Sequence, residues 1–406
     1  MLRCGLLGER LGHSYSPALH RMLGDYEYRL YEKSPEELAE FLQRGDFHGL
    51  NVTIPYKKAV VPFCAALSDE ARAIGSVNTL VRQSDGSLFG DNTDAFGFRA
   101  LLRRLAVEPA GKKALVLGGG GAGVCAAYVL RQAGAEVTVI SRSGADNYEN
   151  LHRHRRARLI VNATPVGMFP HNGESPLSLA RFPQLEGVAD LIYNPARTAL
   201  LLEAERLGIP HVGGLTMLAA QAQRASELFQ RRALPDDAAA RAERALAAEM
   251  ENLILVGMPG CDKSTLAALL GERLHRPVLD ADQELERAAG MTIPDIFARF
   301  GEAHFRALET ETLAALGKRS GCVIATGGGA VLREENYPLL HQNGRIFHIR
   351  RDTALLPTAG RPVSQSRDLR QLEQERLPRY RRFADDTIDN NGSAEDALRQ
   401  ILEAIP

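Results

Sequence analysis

Tryptophan is missing from the 406 residues, and cysteine is scarce and dispersed: Cys4, Cys64, Cys125, Cys261 and Cys322 form no C-x-x-C pair. That usage argues against a disulfide framework or a zinc site and points to a reducing compartment, the cytoplasm. Long apolar runs are missing too. None reaches the ~18 residues of a membrane span, and the opening LRCGLLG is core-like at once, so no secretory leader is expected. Nor is there an excess of one charge: 49 Lys and Arg stand against 50 Asp and Glu, a net charge of −1. Nothing overall recommends nucleic acid or an anionic membrane as a partner, and the local cluster His152-Arg153-His154-Arg155-Arg156 reads as a solvated face.

Apolar residues make up 45% of the chain, ample for packed cores, and the length suits two or three domains. Short apolar runs alternate with helical patterns. KALVLGGGG and AEVTVISRS flank the helix-like AGVCAAYVLRQAG, and RLIVNATP and VADLIYNP follow as buried strands. The alternation predicts an α/β fold of βαβ units around parallel sheets. The alanine-rich, charged stretch 230–250 predicts a closing helix plus a connection. After it NLILVGMPG opens a second αβ series, which places the main boundary near 249–252.

Two glycine loops differ in kind. In LVLGGGGAG, Gly118, Gly120 and Gly123 have G-x-G-x-x-G spacing between a strand and a helix. A Cβ there would block the tight turn and the approach of a pyrophosphate to the helix N-terminus. Gly118, Gly120, Gly121 and Ala122 are the candidate cofactor contacts; the alternative for Gly119 and Gly121 is relief of crowding between helix and strand. The next strand ends in VTVISRS, without the acid that would hold an NAD ribose. Ser141, Arg142 and Ser143 suit a 2′-phosphate instead, so NADP is the expected cofactor.

Before residue 100, GHSYSPALH (12–20), NVTIPYK (51–57) and GSVNTL…GDNTDAFGF (75–98) mix short polar residues with buried-looking neighbours. Ser14, Ser16, Thr53, Asn78 and Thr93 suit a hydrogen-bonding floor for a polyhydroxylated carboxylate. Lys57 and Asp94 are the ionisable pair with an acid–base use in hydride transfer. With AIGSVNTL, NATPVGM, YNPARTALL and GLTMLAAQ, these motifs follow the order seen in shikimate dehydrogenases, which the chain resembles over about 1–230.

The resemblance implies an N-terminal αβ substrate domain (1–99), a Rossmann domain for NADP (100–214) and a helical return at about 215–245. It also implies that Ser14 and Ser16 hold the substrate carboxylate, and that Asn78, Asp94, Thr53 and Gln221 bind ring hydroxyls. Lys57 with Asp94 would serve proton transfer, and Gly214 and Met217 would lie near the nicotinamide. The implied reaction is reduction of 3-dehydroshikimate by NADPH. Arg21 stands where asparagine is frequent.

The second loop, GMPGCDKST (257–265), follows the phosphate-binding pattern G-x-x-x-x-G-K-[ST] except that Asp262 occupies the second glycine position. Gly257, Gly260, Lys263, Ser264 and Thr265 are its candidate ATP contacts. LDADQELE, GEAHFRALE, ATGGGAVL, GRP and ERLPRY complete a resemblance to shikimate kinase over about 251–406. Asp280 and Asp282, two apart after a strand, are expected on one side of the chain, holding magnesium waters and orienting a hydroxyl; two such aspartates are otherwise a helix cap.

The resemblance gives Asp280 and Ser264 the metal side and Asp282 the substrate hydroxyl. Arg306 and Arg376 would hold the shikimate carboxylate, Gly328 and Gly329 would let backbone N–H groups approach the ring, and Arg361 in a lid would face the transferring phosphoryl group. The lid is short, and Val363-Ser364 replaces the usual apolar pair. A carboxylate at Asp262 is expected to weaken ATP binding: at roughly 5 Å and an effective dielectric near 20, each like-charge pair costs about 3 kcal/mol. Bifunctional catalysis on consecutive steps is one expectation, and a dehydrogenase with an impaired, ligand-binding kinase-like domain the alternative. A regulator built on the same folds is disfavoured by the retained acid–base residues.

Overall fold

A computed structural model describes residues 1–12, 14–356 and 369–405. The chain divides into two compact units, Met1–Leu246 and Ala247–Pro406. Among the described residues no helix is long and apolar enough to cross a membrane, and all five cysteines are free.

The first unit holds two sheets. Strands β1 (Arg3–Gly8), β2 (Glu27–Glu32), β3 (Gly49–Val52), β4 (Ala66–Leu67), β5 (Thr79–Arg82) and β6 (Leu88–Asp91) form a mixed sheet of order β2-β1-β3-β5-β6-β4. Its parallel core, β2-β1-β3, arises because the chain crosses over through α1 (Ser16–Leu23) and α2 (Pro35–Arg44); β5 runs antiparallel to both β3 and β6. Ser34 and Glu37 cap α2 reciprocally, which fixes where that crossover helix starts. After α3 (Asp69–Ile74), α4 (Thr93–Leu105) leads into the second sheet.

That sheet is all parallel, β7 (Lys113–Leu117), β8 (Glu136–Ile140), β9 (Leu159–Asn162), β10 (Gly187–Asp190) and β11 (His211–Val212), in the order β11-β10-β9-β7-β8. Its central strands β7, β9 and β10 are buried almost throughout, as continuous apolar runs in a sheet covered on both faces require. Helices α5 (Gly121–Gln132) and α6 (Ala199–Arg206) belong to its crossovers.

Helix α7 (Leu215–Gln230) carries the chain back to the first sheet. Gly97 of α4 makes this possible: a Cβ there would stand 2.5 Å from the Met217 carbonyl oxygen, so only glycine lets the two helices close. At the far end of α7 the Phe229 ring lies against Gly49 of β3 and joins Cys4, Tyr26 and Val81 in a small core. Helix α8 (Ala238–Met250) follows and contains the unit boundary, between Leu246 and Ala247.

The second unit has one parallel sheet, β12 (Asn252–Val256), β13 (Val278–Asp280), β14 (Val323–Ala325), β15 (Gly344–Arg350) and β16 (Asp386–Asp389), ordered β13-β14-β12-β15-β16. Around it lie α9 (Lys263–Leu274), α10 (Ala281–Ala289), α11 (Ile293–Gly317), α12 (Asn336–His341), α13 (Leu369–Phe383) and α14 (Ala394–Ala404). The central strand β12 is wholly buried, so the loop that leaves it emerges at the middle of the sheet, between two neighbours. In such sheets ligands bind outside the carboxyl ends of the strands.

Candidate active sites

In the first unit Lys57 and Asp94, the expected acid–base pair, are in contact. Lys57 Nζ donates to Asp94 Oδ2 at 2.6 Å, and Asn78 Nδ2 donates to Asp94 Oδ1 at 2.9 Å. The amide is oriented by its other end: Asn78 Oδ1 accepts the Thr93 backbone N–H at 2.7 Å, at the start of α4. Lys57 is tied in turn through its carbonyl, which accepts the Val77 N–H at 2.8 Å. A chain of hydrogen bonds runs on from Asn78: Thr79 Oγ1 donates to Asn78 Oδ1, Asn51 Nδ2 to Thr79 Oγ1, and Tyr28 Oη to Asn51 Oδ1 at 2.8 Å.

The Ser16 hydroxyl lies near the Tyr28 phenol, at the far end of this chain. Ser14 Oγ accepts the Ser16 N–H at 3.2 Å. Gln221 of α7 joins from the opposite side, accepting from Thr93 Oγ1 at 3.4 Å. Thr53 stands outside these bonds, placed after β3 by its N–H to the Leu7 carbonyl. His20 stacks on Tyr28 at 4.1 Å, and burial pulls its imidazole down to about 3, so it is a neutral packing ring.

The glycine loop between β7 and α5 separates packing from access. Gly118 has φ 104°, and a Cβ on Gly123 would lie 1.9 Å from the Gly118 carbonyl oxygen. Crowding is therefore relieved by Gly118 and Gly123. Gly119 and Gly121 do not serve it: a Cβ on Gly121 would meet nothing within 4 Å and one on Gly119 only Ser141 Cβ at 3.9 Å. Gly120 is equally open. Gly119, Gly120 and Gly121 thus leave open space at the N-terminus of α5.

Arg142 and Ser143 are exposed after β8, and the Ser141 N–H donates to the Asp146 carbonyl. Asp146 is held by His154 Nε2 at 2.8 Å. The basic cluster is thus not uniformly solvated: His154 is buried, while His152, Arg153, Arg155 and Arg156 are exposed. Gly214 abuts the Leu191 carbonyl, where a Cβ would come within 2.1 Å, and Met217 is buried beneath α4.

A further acid escaped the sequence reading. Asp190, at the end of β10, accepts from Asn162 Nδ2 (3.0 Å), the Ile192 N–H (3.0 Å) and Thr198 Oγ1 (2.7 Å). Burial nevertheless raises its carboxyl to about 6. It ties β9, β10 and the start of α6 together.

In the second unit Lys263, Asp280, Asp282, Arg306, Glu309 and Arg376 line one cavity of about 440 Å³ that the P-loop also borders. Lys263 is buried, its Nζ donating to the Gly257 and Met258 carbonyls at 3.0 Å each. Ser264 Oγ donates to Asp280 Oδ2 at 2.7 Å, while Asp280 Oδ1 accepts the Asp282 and Gln283 N–H groups and caps α10. The two aspartates share a cavity because of this cap. Strand alternation is not the reason: Asp280 ends β13 and Asp282 lies in the first turn of the helix.

Asp282 is pushed up to about 6, first by burial and then by the Asp280 and Glu309 carboxylates. Arg306 Nη1 donates to Glu309 Oε2 at 2.7 Å, and burial raises the Glu309 carboxyl. Among the described residues Arg306 Nε and Glu309 Oε1 are buried without a hydrogen-bond partner. Glu309 was legible as an acid three residues on from Arg306, on the same helix face.

The glycine run also serves packing. The Gly328 carbonyl accepts from Arg376 Nη1 (2.8 Å) and Tyr380 Oη (2.6 Å), and a Cβ on Gly329 would fall 2.1 Å from Arg306 Nη1. Gly329 makes room for Arg306, whereas a Cβ on Gly328 would meet Pro259 at 2.7 Å. Asp262, before α9, has φ 64°, and its carboxylate pairs with Arg351, a residue nothing in the sequence pattern singled out. Gly257 and Gly260 also have positive φ, and Ser264 and Thr265 are exposed at the start of α9. Arg361, with Val363 and Ser364, lies outside the described residues.

Residues 259–406 match the shikimate kinase family, and residues 6–80 match the shikimate dehydrogenase substrate binding domain. A shikimate dehydrogenase (NADP(+)) of Methanopyrus kandleri is 40% identical over 259 residues, covering 55% of this chain and 89% of that protein. One of Thermus thermophilus is 40% identical over 246 residues, covering 56% and 92%. Among solved structures, a Thermus thermophilus shikimate 5-dehydrogenase in complex with NADP(H) and shikimate is 37% identical with a TM-score of 0.55, covering 60% of this chain and 99% of that one. A chorismate mutase/shikimate 5-dehydrogenase fusion from Clostridium acetobutylicum is 32% identical with a TM-score of 0.58, covering 60% and 97%. The chain therefore belongs to the shikimate dehydrogenase family and joins to it a domain of the shikimate kinase family.

Proposed function

We propose that this chain performs two consecutive reactions: NADPH-dependent reduction of 3-dehydroshikimate to shikimate, then ATP-dependent phosphorylation to shikimate 3-phosphate. The observation that carries the first is the Lys57–Asp94–Asn78 contact, a proton donor held ready by a carboxylate whose other oxygen is already engaged. NADPH, when bound, supplies the hydride. Lys57 Nζ gives a proton to the ring carbonyl oxygen as it gains charge, and Asp94 holds that ammonium in place. Ser14 and Ser16 orient the substrate carboxylate; Asn78, Thr53 and Gln221 take ring hydroxyls. Gly118, Gly120, Gly121 and Ala122 receive the pyrophosphate, and Arg142 with Ser141 and Ser143 the 2′-phosphate. On this reading residues 1–99 with the return at about 215–245 serve the substrate, 100–214 the cofactor and 251–406 the kinase.

The second reaction is supported by the charges lining the P-loop cavity. Arg306 and Arg376 offer planar donors to a carboxylate, and the partnerless Arg306 Nε is a donor left for it. Asp282 accepts the attacking hydroxyl and its proton. Lys263 leaves its carbonyl partners for phosphate oxygens, and Ser264 with Asp280 would hold magnesium, which supplies charge neutralisation when bound. Asp262 favours a second reading, in which this unit binds ligand without turnover. A stepwise assay separates them: 3-dehydroshikimate with NADPH, then ATP and magnesium, with both products identified. Shikimate followed by a phosphorylated product is expected; shikimate alone selects the second reading, and no NADPH oxidation rejects both.

A further inference from the structure

Asp262 stands at a left-handed position of the P-loop, φ 64° and ψ 32°, where asparagine and aspartate are tolerated better than most residues with a Cβ. Its backbone is thus compatible with the loop, and the difficulty lies in its charge. Strands β12 and β15 are parallel neighbours, with Val256 opposite His348, so their carboxyl ends emerge side by side. The P-loop leaves one and Arg351 follows the other. The approach is close: a Cβ on Gly257 would lie 2.4 Å from the Ile349 carbonyl oxygen. From this position the Arg351 guanidinium pairs through Nη1 with Asp262 Oδ2, and both side chains are partly shielded from water. A second tie comes from the end of β16, where Asn390 Nδ2 donates to the Cys261 carbonyl at 2.9 Å.

We propose that Arg351 is a positioning residue for nucleotide binding: it neutralises Asp262 and holds that carboxylate against the end of β15, leaving the loop N–H groups for phosphate. The inference rests on the reading of the loop as a nucleotide site. Without the arginine, a carboxylate roughly 5 Å from a phosphate oxygen would lower affinity by about two orders of magnitude. With it, the pair presents little net charge to the nucleotide, and the position behaves electrostatically like the glycine it replaces.

The test is a double-mutant cycle on the full chain, titrating ATP with magnesium calorimetrically. Arg351→Gln should weaken binding roughly 10- to 100-fold in the parent, yet less than about threefold in an Asp262→Gly background. Arg351→Lys, which keeps the charge, should recover most of the affinity, and thermal unfolding of each form reports on folding. Equal losses in both backgrounds would overturn the proposal, because Arg351 would then act independently of Asp262. So would binding by Asp262→Gly with none by the parent, since the pair would not have silenced the carboxylate. If no form binds ATP, Asp262→Gly included, the nucleotide-site reading itself falls and takes this inference with it.

Discussion

In the first unit, Asp94 meets its cation and its amide without any ligand: one oxygen faces Lys57, the other Asn78, and Asn78 is itself fixed by the backbone of α4. In the second unit, Asp282 faces three other carboxylates, Asp280, Glu309 and Glu286, Lys263 donates to loop carbonyls, and Arg306 and Glu309 each keep a buried atom without a partner among the described residues. The first site is electrostatically closed, so a ligand must exchange hydrogen bonds within it. The second is open, and a ligand's own charges complete it. Substitutions should therefore act on turnover in the first site, and on pH dependence as well as turnover in the second.

The strongest way to break this contrast is Lys57→Ala. Loss of a positioned proton donor should lower kcat for 3-dehydroshikimate reduction about 10²–10⁴-fold, with a much smaller change in KM by steady-state NADPH oxidation. An unaltered rate would remove Lys57 from the chemistry. Next is Asp282→Asn, expected to cost roughly 10²-fold in shikimate phosphorylation, since phosphoryl transfer relies more on positioning than on a base. The parent's phosphorylation rate should fall as pH drops through about 6, where the raised Asp282 carboxyl takes up its proton. The variant should lose that limb of the profile.

Asp190 sharpens the comparison, because its carboxyl is also raised to about 6 but carries a full set of donors. Its folded value lies above the ordinary 3.8, so the folded chain binds the extra proton more tightly. Stability from this group is greatest below about 4, falls as pH rises toward about 6, and is flat above, an effect on the order of 3 kcal/mol. Asp190→Asn keeps one accepting oxygen and should flatten that slope in denaturant titrations between pH 4.5 and 7.5. The smallest effect is at the cofactor: Arg142→Ala should weaken NADPH about 10-fold with little change for NADH, the loss of one charge-assisted contact. Equal losses for both would place Arg142 away from the 2′-phosphate.

Much of this was legible because glycine and charged residues at fixed spacing leave local marks. The loop after β7, the P-loop lysine and the Lys57 and Asp94 motifs are of that kind. What escaped the sequence depends on neighbours brought together by sheet order. Arg351 reaches Asp262 only because β15 lies beside β12, and no spacing rule relates the two positions. The requirement at Gly329 is likewise tertiary: its empty side makes room for Arg306, from a different helix. His154 illustrates the opposite error, since a basic cluster does not reveal which of its members turns inward to hold Asp146.

The return of α7 to the first sheet has a consequence for biosynthesis of the chain. Gly49 of β3 receives its cover from Phe229, and Gly97 of α4 closes on the Met217 backbone, so the N-terminal sheet is unfinished when its last strand has been made. At about 5–20 residues per second the ribosome needs on the order of ten seconds to deliver α7. During that interval the nascent sheet lacks the Phe229 ring that packs on Gly49, Cys4, Tyr26 and Val81. Release of a chain cut before 230 would leave that packing incomplete, which makes the stretch after α7 the earliest point at which the first unit can stand as a product of translation.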